Sequence, residues 1–289
     1  MSKIGFLGFG MMGSIIYGKI NAKFPVSHVY NRSREKVVGH ISDSTEIVND
    51  PSKLFQNCDT VFLSLTDSRA VESILLKGDS ATDSLREKTT VIDLSTVSLK
   101  TSVRVAEALK KRGVYYFDSP VIGSTKAASS SSLVTVVGGD QSVYNKIEPM
   151  LKTFSKQVYY VGPNGSGTKV KLINNLVMGT NMAILAEAIA ISEKIGLKSS
   201  LLLDILQGGG AGSKILDLKK EKIIAKDFSP EFKLAHQLKD LKYFMEISDE
   251  ENLPSLIGSI VTQIYSAAFR MNLGDNDMSA VSEFNKEIE

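Results

Sequence analysis

Apolar positions in the first half of the chain fall in short, largely β-branched runs, separated by stretches with an apolar residue every three or four places. That is the rhythm of strands alternating with amphipathic helices. Lys3–Leu7, Ser27–Tyr30, Val61–Leu65, Thr90–Leu94, Val114–Asp118, Leu133–Gly138 and Gln157–Val161 predict seven strands. Met11–Lys23 predicts a helix after the first of them, and Arg34–Gly39 the start of another after the second. Alternation of this kind builds βα units around a parallel sheet. From Thr168 onward a 3.6-residue period dominates. Thr168–Ile195 predicts one long helix ending at Gly196, a residue suited to a left-handed C-terminal cap. Further helices are predicted at Ser200–Leu206, Ser213–Lys222, Leu234–Ser248 and Pro254–Met271. Gly162-Pro163-Asn164-Gly165-Ser166-Gly167 punctuates the change. The expected architecture is an α/β domain over residues 1–162, followed by an all-α domain over residues 163–289 that opens with a long interdomain helix. Ser129–Ser132 reads as a solvated loop. Gly208–Gly212 reads either as a connection that closes over a ligand or as an ordinary loop.

Composition narrows the function classes. The 289 residues carry a net charge of +2, with 43% hydrophobic and 23% charged residues, the balance of a soluble globular protein. Basic residues are scattered, so no nucleic-acid partner is expected. No run of some 18 to 20 apolar residues is evident, so no membrane partner is expected either. The single cysteine, Cys58, excludes an internal disulfide, and the start of the chain lacks a signal-peptide pattern; both fit a cytoplasmic protein. The three histidines stand far apart without cysteine or histidine neighbours at ligand spacing, so no metal site is expected.

Gly8-Phe9-Gly10-Met11-Met12-Gly13 matches G-x-G-x-x-G, directly after a predicted strand and opening a predicted helix. In that context the pattern signals dinucleotide binding and makes the sheet a Rossmann-type, doubly wound one. The first glycine serves the tight turn, the second lets the backbone approach a pyrophosphate, and the third lets helix and strand pack closely. At the end of the second strand, where NAD-specific sites carry a carboxylate, the chain reads Asn31-Arg32-Ser33. Asn31 does not repel a 2′-phosphate, Arg32 can fork onto it and Ser33 can donate to it. The cofactor indicated is NADP(H).

Three further segments carry chemistry: Ser95-Thr96 after the strand at Thr90; Asp118-Ser119-Pro120-Val121-Ile122-Gly123-Ser124; and Gly165-Ser166-Gly167 followed by Lys171 and Asn175, spaced i, i+4 on one helix face. With these the chain resembles the β-hydroxyacid dehydrogenases, from residue 4 to about 280, through GFLGFGMMG, NRSREK, DLSTVS, DSPVIGS, GSGTKVKLINN and FKLAHQLKDL. The resemblance implies that Lys171 is the acid/base, that Asn175 holds the substrate, and that Lys239 and Asp240 complete the cleft beside the nicotinamide, with Phe232 as a pocket wall. It extends the expected cofactor contacts to Leu65, Thr66, Thr96 and Lys239, and the substrate contacts to Ser95, Ile122, Gly123 and Ser124. It also implies a homodimer or homotetramer. The chemistry agrees, because a carbonyl receiving hydride develops negative charge on oxygen, and a lysine both stabilises that charge and donates a proton. Phe232, His236 and Lys239 would line one helix face if that helix began a little before Leu234. His236 reads equally as a surface residue.

One position departs from the family pattern. A serine that usually helps to bind the substrate carboxylate is replaced by Ile122, leaving Gly123 and Ser124. The pocket should therefore be more apolar, and the substrate class stays open between a small hydroxy or oxo acid, a less polar carbonyl compound and an imine. A non-catalytic NADP(H)-binding protein is the remaining alternative.

Overall fold

The computed structural model describes residues 3–76 and 81–284. Its chain divides into two compact units, Met1–Lys171 and Leu172–Glu289.

In the first unit the strands are β1 (Ile4–Leu7), β2 (Val26–Tyr30), β3 (Glu46–Ile47), β4 (Thr60–Leu63), β5 (Thr90–Asp93), β6 (Tyr115–Asp118), β7 (Val121–Ile122), β8 (Leu133–Gly138) and β9 (Ser155–Gly162). The helices are α1 (Met11–Asn21), α2 (Pro51–Asn57), α3 (Ser68–Leu75), α4 (Leu99–Lys110), α5 (Thr125–Ser129) and α6 (Gln141–Leu151). The sheet order is β3-β2-β1-β4-β5-β6-β8-β7, with β9 paired to β8. Pairing is parallel from β3 to β6. Side-chain alternation along each strand supplies a separate core on each face: Phe6, Phe62 and Phe117 to one, Leu7, Val61 and Leu63 to the other. Chain order reverses between β1 and β4, and ligands of such sheets bind beyond the carboxyl ends of the strands at this point.

The second unit holds the rest of α7 (Ser166–Lys194), then α8 (Ser199–Gly208), α9 (Lys214–Ile224), α10 (Leu234–Glu250), α11 (Leu256–Ala268) and α12 (Val281–Phe284). Their core includes Met182, Leu185, Ile189, Leu216, Leu241, Tyr265 and Val281.

Several expectations are corrected. The helix expected from Arg34 is a single 3₁₀ turn, Arg34–Lys36: Ser33 gives it no side-chain cap, and Gly39 turns away at φ +81°. The short strands β3 and β7 escaped a pattern reading because two residues carry no period. β8 runs antiparallel to β6 and β7; the ten residues between Ile122 and Leu133 fall short of the dozen or so that a parallel crossover from β7 takes. α11 stops at Ala268, and Asn272 lies at φ +62°, so the helix expected to reach Met271 is shorter. The division between the two compact units falls at Lys171, inside α7. α7 itself is, by length and composition, apolar enough to cross a membrane, although 44% of its most apolar window is buried in the protein. Its apolar residues are interrupted by polar ones such as Asn174, Asn175, Thr180 and Glu187, so a search for unbroken apolar runs passes over it.

Candidate active site

The glycine loop is shaped for a phosphate. Gly8 adopts φ +104°, and a Cβ there would lie 2.2 Å from the Ser64 carbonyl oxygen, so only glycine fits. A Cβ on Gly13 would lie 2.1 Å from the Gly8 carbonyl oxygen, whereas one on Gly10 would meet nothing within 4 Å. The loop is thus tight against the sheet at both ends and open in the middle. Gly10 caps α1 without a side-chain hydrogen bond, leaving the N–H groups of the first turn to an outside acceptor. These features fit the pyrophosphate of a dinucleotide. Phe9 is buried, Met12 partly so, and Met11 stands half exposed.

Asn31 joins this loop to the next. Its Oδ1 accepts the Phe9 N–H at 2.9 Å and its Nδ2 donates to the Ser33 carbonyl at 2.7 Å. Arg32 is exposed beside it, Ser33 is half-buried, and Arg34 donates to Asn49 Oδ1 at 2.6 Å. A basic turn therefore follows β2, bracketed to the glycine loop by a neutral amide.

Ser95 joins the two loops beyond β4 and β5. Its hydroxyl accepts the Leu65 N–H at 2.8 Å, and its own N–H donates to Asp93 Oδ1 at 2.9 Å, while Tyr116 donates its phenol to Asp93 Oδ2 at 2.9 Å. Burial pushes the Asp93 carboxyl up to about 6. Thr66 is exposed and Thr96 half-buried on the same pair of loops. Ile122 pairs with Val134 across β7 and β8, Gly123 turns the chain, and the Ser124 hydroxyl accepts the Ala127 N–H as cap of α5.

The start of α7 is held by a residue that pattern reading missed. Asp118, 2% exposed at the end of β6, accepts the N–H of Gly165 and that of Thr168, each at 2.8 Å. It caps a helix more than forty residues further along the chain. Burial pushes this carboxyl, too, up to about 6. Asn164 adds a hydrogen bond to the Tyr116 carbonyl at 2.7 Å.

Lys171 follows on α7 and is buried; Asn175, one turn and ~6 Å of rise later, is fully buried. Lys169 lies on another, exposed face. In the second unit Asn175 Nδ2 donates to Asp240 Oδ2 at 2.6 Å, and its Oδ1 accepts from Asn174 Nδ2 at 3.0 Å. Gln237, one turn before Asp240 on α10, donates to the Asn175 carbonyl at 2.8 Å. Gly179 makes room for it, since a Cβ there would lie 2.3 Å from Gln237 Nε2. Lys239 Nζ stands 2.9 Å from Asp240 Oδ1 and 4.9 Å over the Tyr243 ring.

Phe232 precedes α10 instead of lying in it, yet its ring sits 6.1 Å from that of His236. Its backbone is fixed on both sides: its N–H donates to Asp277 Oδ2 at 3.1 Å, and its carbonyl accepts the Met278 N–H at 2.8 Å. Asp277 in turn pairs with buried Lys219 at 2.9 Å. Gln237, Tyr243, Lys219 and Asp277 left no sequence pattern, whereas Gly179 in mid-helix was a signal of close packing.

Comparison with known proteins agrees with both halves. The family described as the NAD binding domain of 6-phosphogluconate dehydrogenase matches residues 3–162, and that described as NAD-binding of NADP-dependent 3-hydroxyisobutyrate dehydrogenase matches residues 165–284. The chain is 32% identical over 280 residues to 2-(hydroxymethyl)glutarate dehydrogenase of Eubacterium barkeri, covering 96% of this chain and 93% of the relative. It is 30% identical over 279 residues to the cytokine-like nuclear factor N-PAC of Gallus gallus, again 96% of this chain but 50% of that longer protein. The structure of Mycobacterium tuberculosis 3-hydroxyisobutyrate dehydrogenase with L-serine superimposes with a TM-score of 0.88 at 26% identity, covering 98% of each chain.

Proposed function

Because the chain belongs to the β-hydroxyacid dehydrogenase family of NAD(P)-dependent oxidoreductases, we propose that it interconverts a small β-hydroxy acid and its semialdehyde or oxo acid with NADP(H), Lys171 acting as acid/base. The observation that carries this reading is the arrangement on α7: a buried lysine one helical turn before a fully buried asparagine whose amide is fixed by Asp240. A binding protein without turnover has no need to bury a lysine ammonium.

A bound NADP(H) would supply the hydride, or receive it in the oxidative direction. In reduction, Lys171 Nζ gives a proton to the carbonyl oxygen as hydride reaches the carbon, and in oxidation the neutral amine takes it back from the hydroxyl. Its charge stabilises the alkoxide that develops between those two states. Asp240 orients the Asn175 amide, and the Gln237 bond to the Asn175 backbone fixes the turn that bears it. NADP(H) is favoured over NAD(H) by exposed Arg32 and by a neutral amide in place of a carboxylate at position 31.

A second reading rests on Ile122. An aliphatic side chain where the family pattern has a serine favours a carbonyl substrate without a carboxylate, or an imine. The likeness to N-PAC, named as a nuclear factor, supports a third, an NADP(H)-binding protein without turnover. The experiment is a panel of glyoxylate, succinic semialdehyde and methylmalonate semialdehyde beside matched neutral aldehydes, followed by NADPH and then NADH absorbance. Turnover of the acids with NADPH supports the first reading, and turnover of neutral aldehydes alone supports the second. Tight NADPH binding with no turnover of any of them supports the imine substrate or the binding protein.

A further inference from the structure

Asp93 ends β5, an interior strand, and is 1% exposed. No step of the proposed reaction uses it. A buried carboxylate is costly, and an apolar side chain of similar size would serve the sheet better. Its charge is answered by hydroxyl and N–H donors: the Tyr116 phenol at 2.9 Å, the Ser95 N–H at 2.9 Å and the Ser95 hydroxyl. We propose that Asp93 is a positioning residue for the cofactor, holding Ser95 so that the loops beyond β4 and β5 are set before a dinucleotide arrives.

The contacts run in one line from Asp93 to the glycine loop. The β4–β5 ladder ends where the Leu94 N–H donates to the Leu63 carbonyl at 2.8 Å. A continued parallel ladder would send the next donor, the Leu65 N–H, to the Leu94 carbonyl. It donates to Ser95 Oγ instead, at 2.8 Å. A side chain thus takes over from the backbone where the two strands part. Ser95 has one hydroxyl proton, and an ionised carboxylate can only accept. Asp93 draws that proton, which turns the lone pairs of Ser95 Oγ toward the Leu65 N–H. Ser64, the residue before Leu65, packs against both ends of the glycine loop. A Cβ on Gly8 would run into its carbonyl, and one on Gly13 would crowd its hydroxyl at 3.1 Å. The place of Leu65 therefore sets one wall of the dinucleotide seat.

A second tie closes the far side of these loops, the Ser98 N–H donating to Ser68 Oγ at 2.9 Å. Between the two ties lie exposed Thr66 and half-buried Thr96. Tyr116 anchors the other end of the line: it is 3% exposed on β6, and its carbonyl accepts from Asn164. Loops fixed in advance lose less freedom when a ligand binds, and the difference appears as affinity. Asp93 has this role only if the glycine loop seats a dinucleotide, whichever substrate the enzyme takes.

Fluorescence titration with NADPH and NADH, at a pH of about 8 where the carboxyl is ionised, tests it on wild type, Asp93→Asn, Ser95→Ala and the double variant. Asp93→Asn puts an amide donor among donors and should weaken NADPH binding about 10-fold, near the worth of one hydrogen bond to a charged group. Ser95→Ala should weaken it as well, and in that background Asp93→Asn should add less than about 2-fold, because Asp93 acts through Ser95. Tyr116→Phe strips a donor from the same carboxylate without touching either loop, and should cost about 2- to 10-fold. Amide hydrogen exchange gives the readout that a purely structural role would not. Without cofactor, Asp93→Asn should lose protection at Leu65 while Val61–Leu63 and Val91–Ile92 keep theirs, and saturating NADPH should restore it. Wild-type NADPH affinity in Asp93→Asn, or in Tyr116→Phe where Asp93→Asn does not fold, overturns the proposal. So do additive losses in the double variant, or exchange that rises equally over β4, β5 and Leu65. A wild type that binds neither NADPH nor NADH overturns the cofactor reading itself, and the role of Asp93 with it.

Discussion

Replacing Asp118 by alanine should destabilise the protein by an amount that depends on pH in a defined direction. The carboxylate accepts two buried N–H groups, Gly165 and Thr168, and orphaning them costs about 1–3 kcal/mol each. Against that loss stands the cost of burying the charge. Its folded carboxyl is pushed from 3.8 up to about 6, a shift worth roughly 3 kcal/mol between the charged and neutral forms. A raised folded value means that the native state holds the proton better than the unfolded chain does. The stabilisation is fully present below the unfolded value near 3.8 and is lost as pH rises through about 6. The alanine variant lacks this titration, so the gap between wild type and Asp118→Ala should be widest near pH 4, shrink by roughly 3 kcal/mol up to about pH 6, and stay flat above it. Urea unfolding followed by far-UV circular dichroism, with midpoints compared at matched slopes, measures the gap at each pH. A gap that is constant with pH, or that widens as pH rises, would refute the reasoning, because the two hydrogen bonds would then outweigh the burial.

Three further outcomes follow from other sites. Asn31→Asp combined with Arg32→Ala should weaken NADPH binding by about 10- to 150-fold, the worth of a charge-assisted hydrogen bond, with NADH little changed; fluorescence titration of both cofactors reads this. Gly179→Ala should cost about 1–3 kcal/mol, since its Cβ would meet Gln237 Nε2 at 2.3 Å, and thermal melting would show no effect only if Gln237 can leave its bond to Asn175 freely. Cys58 is fully buried and its thiol is pushed up to about 11, chiefly by that burial, so native protein should react with a disulfide reagent only on unfolding. Fast labelling without denaturant would contradict its placement.

What could be read from the sequence was what local periodicity and short-range geometry determine. The strands of the parallel half, the glycine loop and the long helix each follow from a repeat or from a residue type with one steric use. The Asn31 bracket to Phe9 was half legible: the asparagine was visible, but not that its amide is spent on linking two loops. Asp118 lies in a segment that drew notice for its hydroxyl and glycine residues, yet its partners are 47 and 50 positions away. No pattern of spacing encodes a cap supplied by a distant strand. Lys219 and Asp277 fix the backbone of Phe232 from two segments 58 residues apart, and so were equally silent. The antiparallel β8 shows the opposite failure, a local run read well but a direction that depends on connection length.

The central claim is that Lys171 transfers the proton. The direct measurement is a single-turnover reduction of the preferred substrate by wild type and by Lys171→Ala, with NADPH affinity measured on the same preparations. The account predicts a loss of about 10²- to 10⁴-fold in the reduction step, with NADPH binding changed little. Reduction at the wild-type rate by Lys171→Ala would contradict it and move the acid to another group.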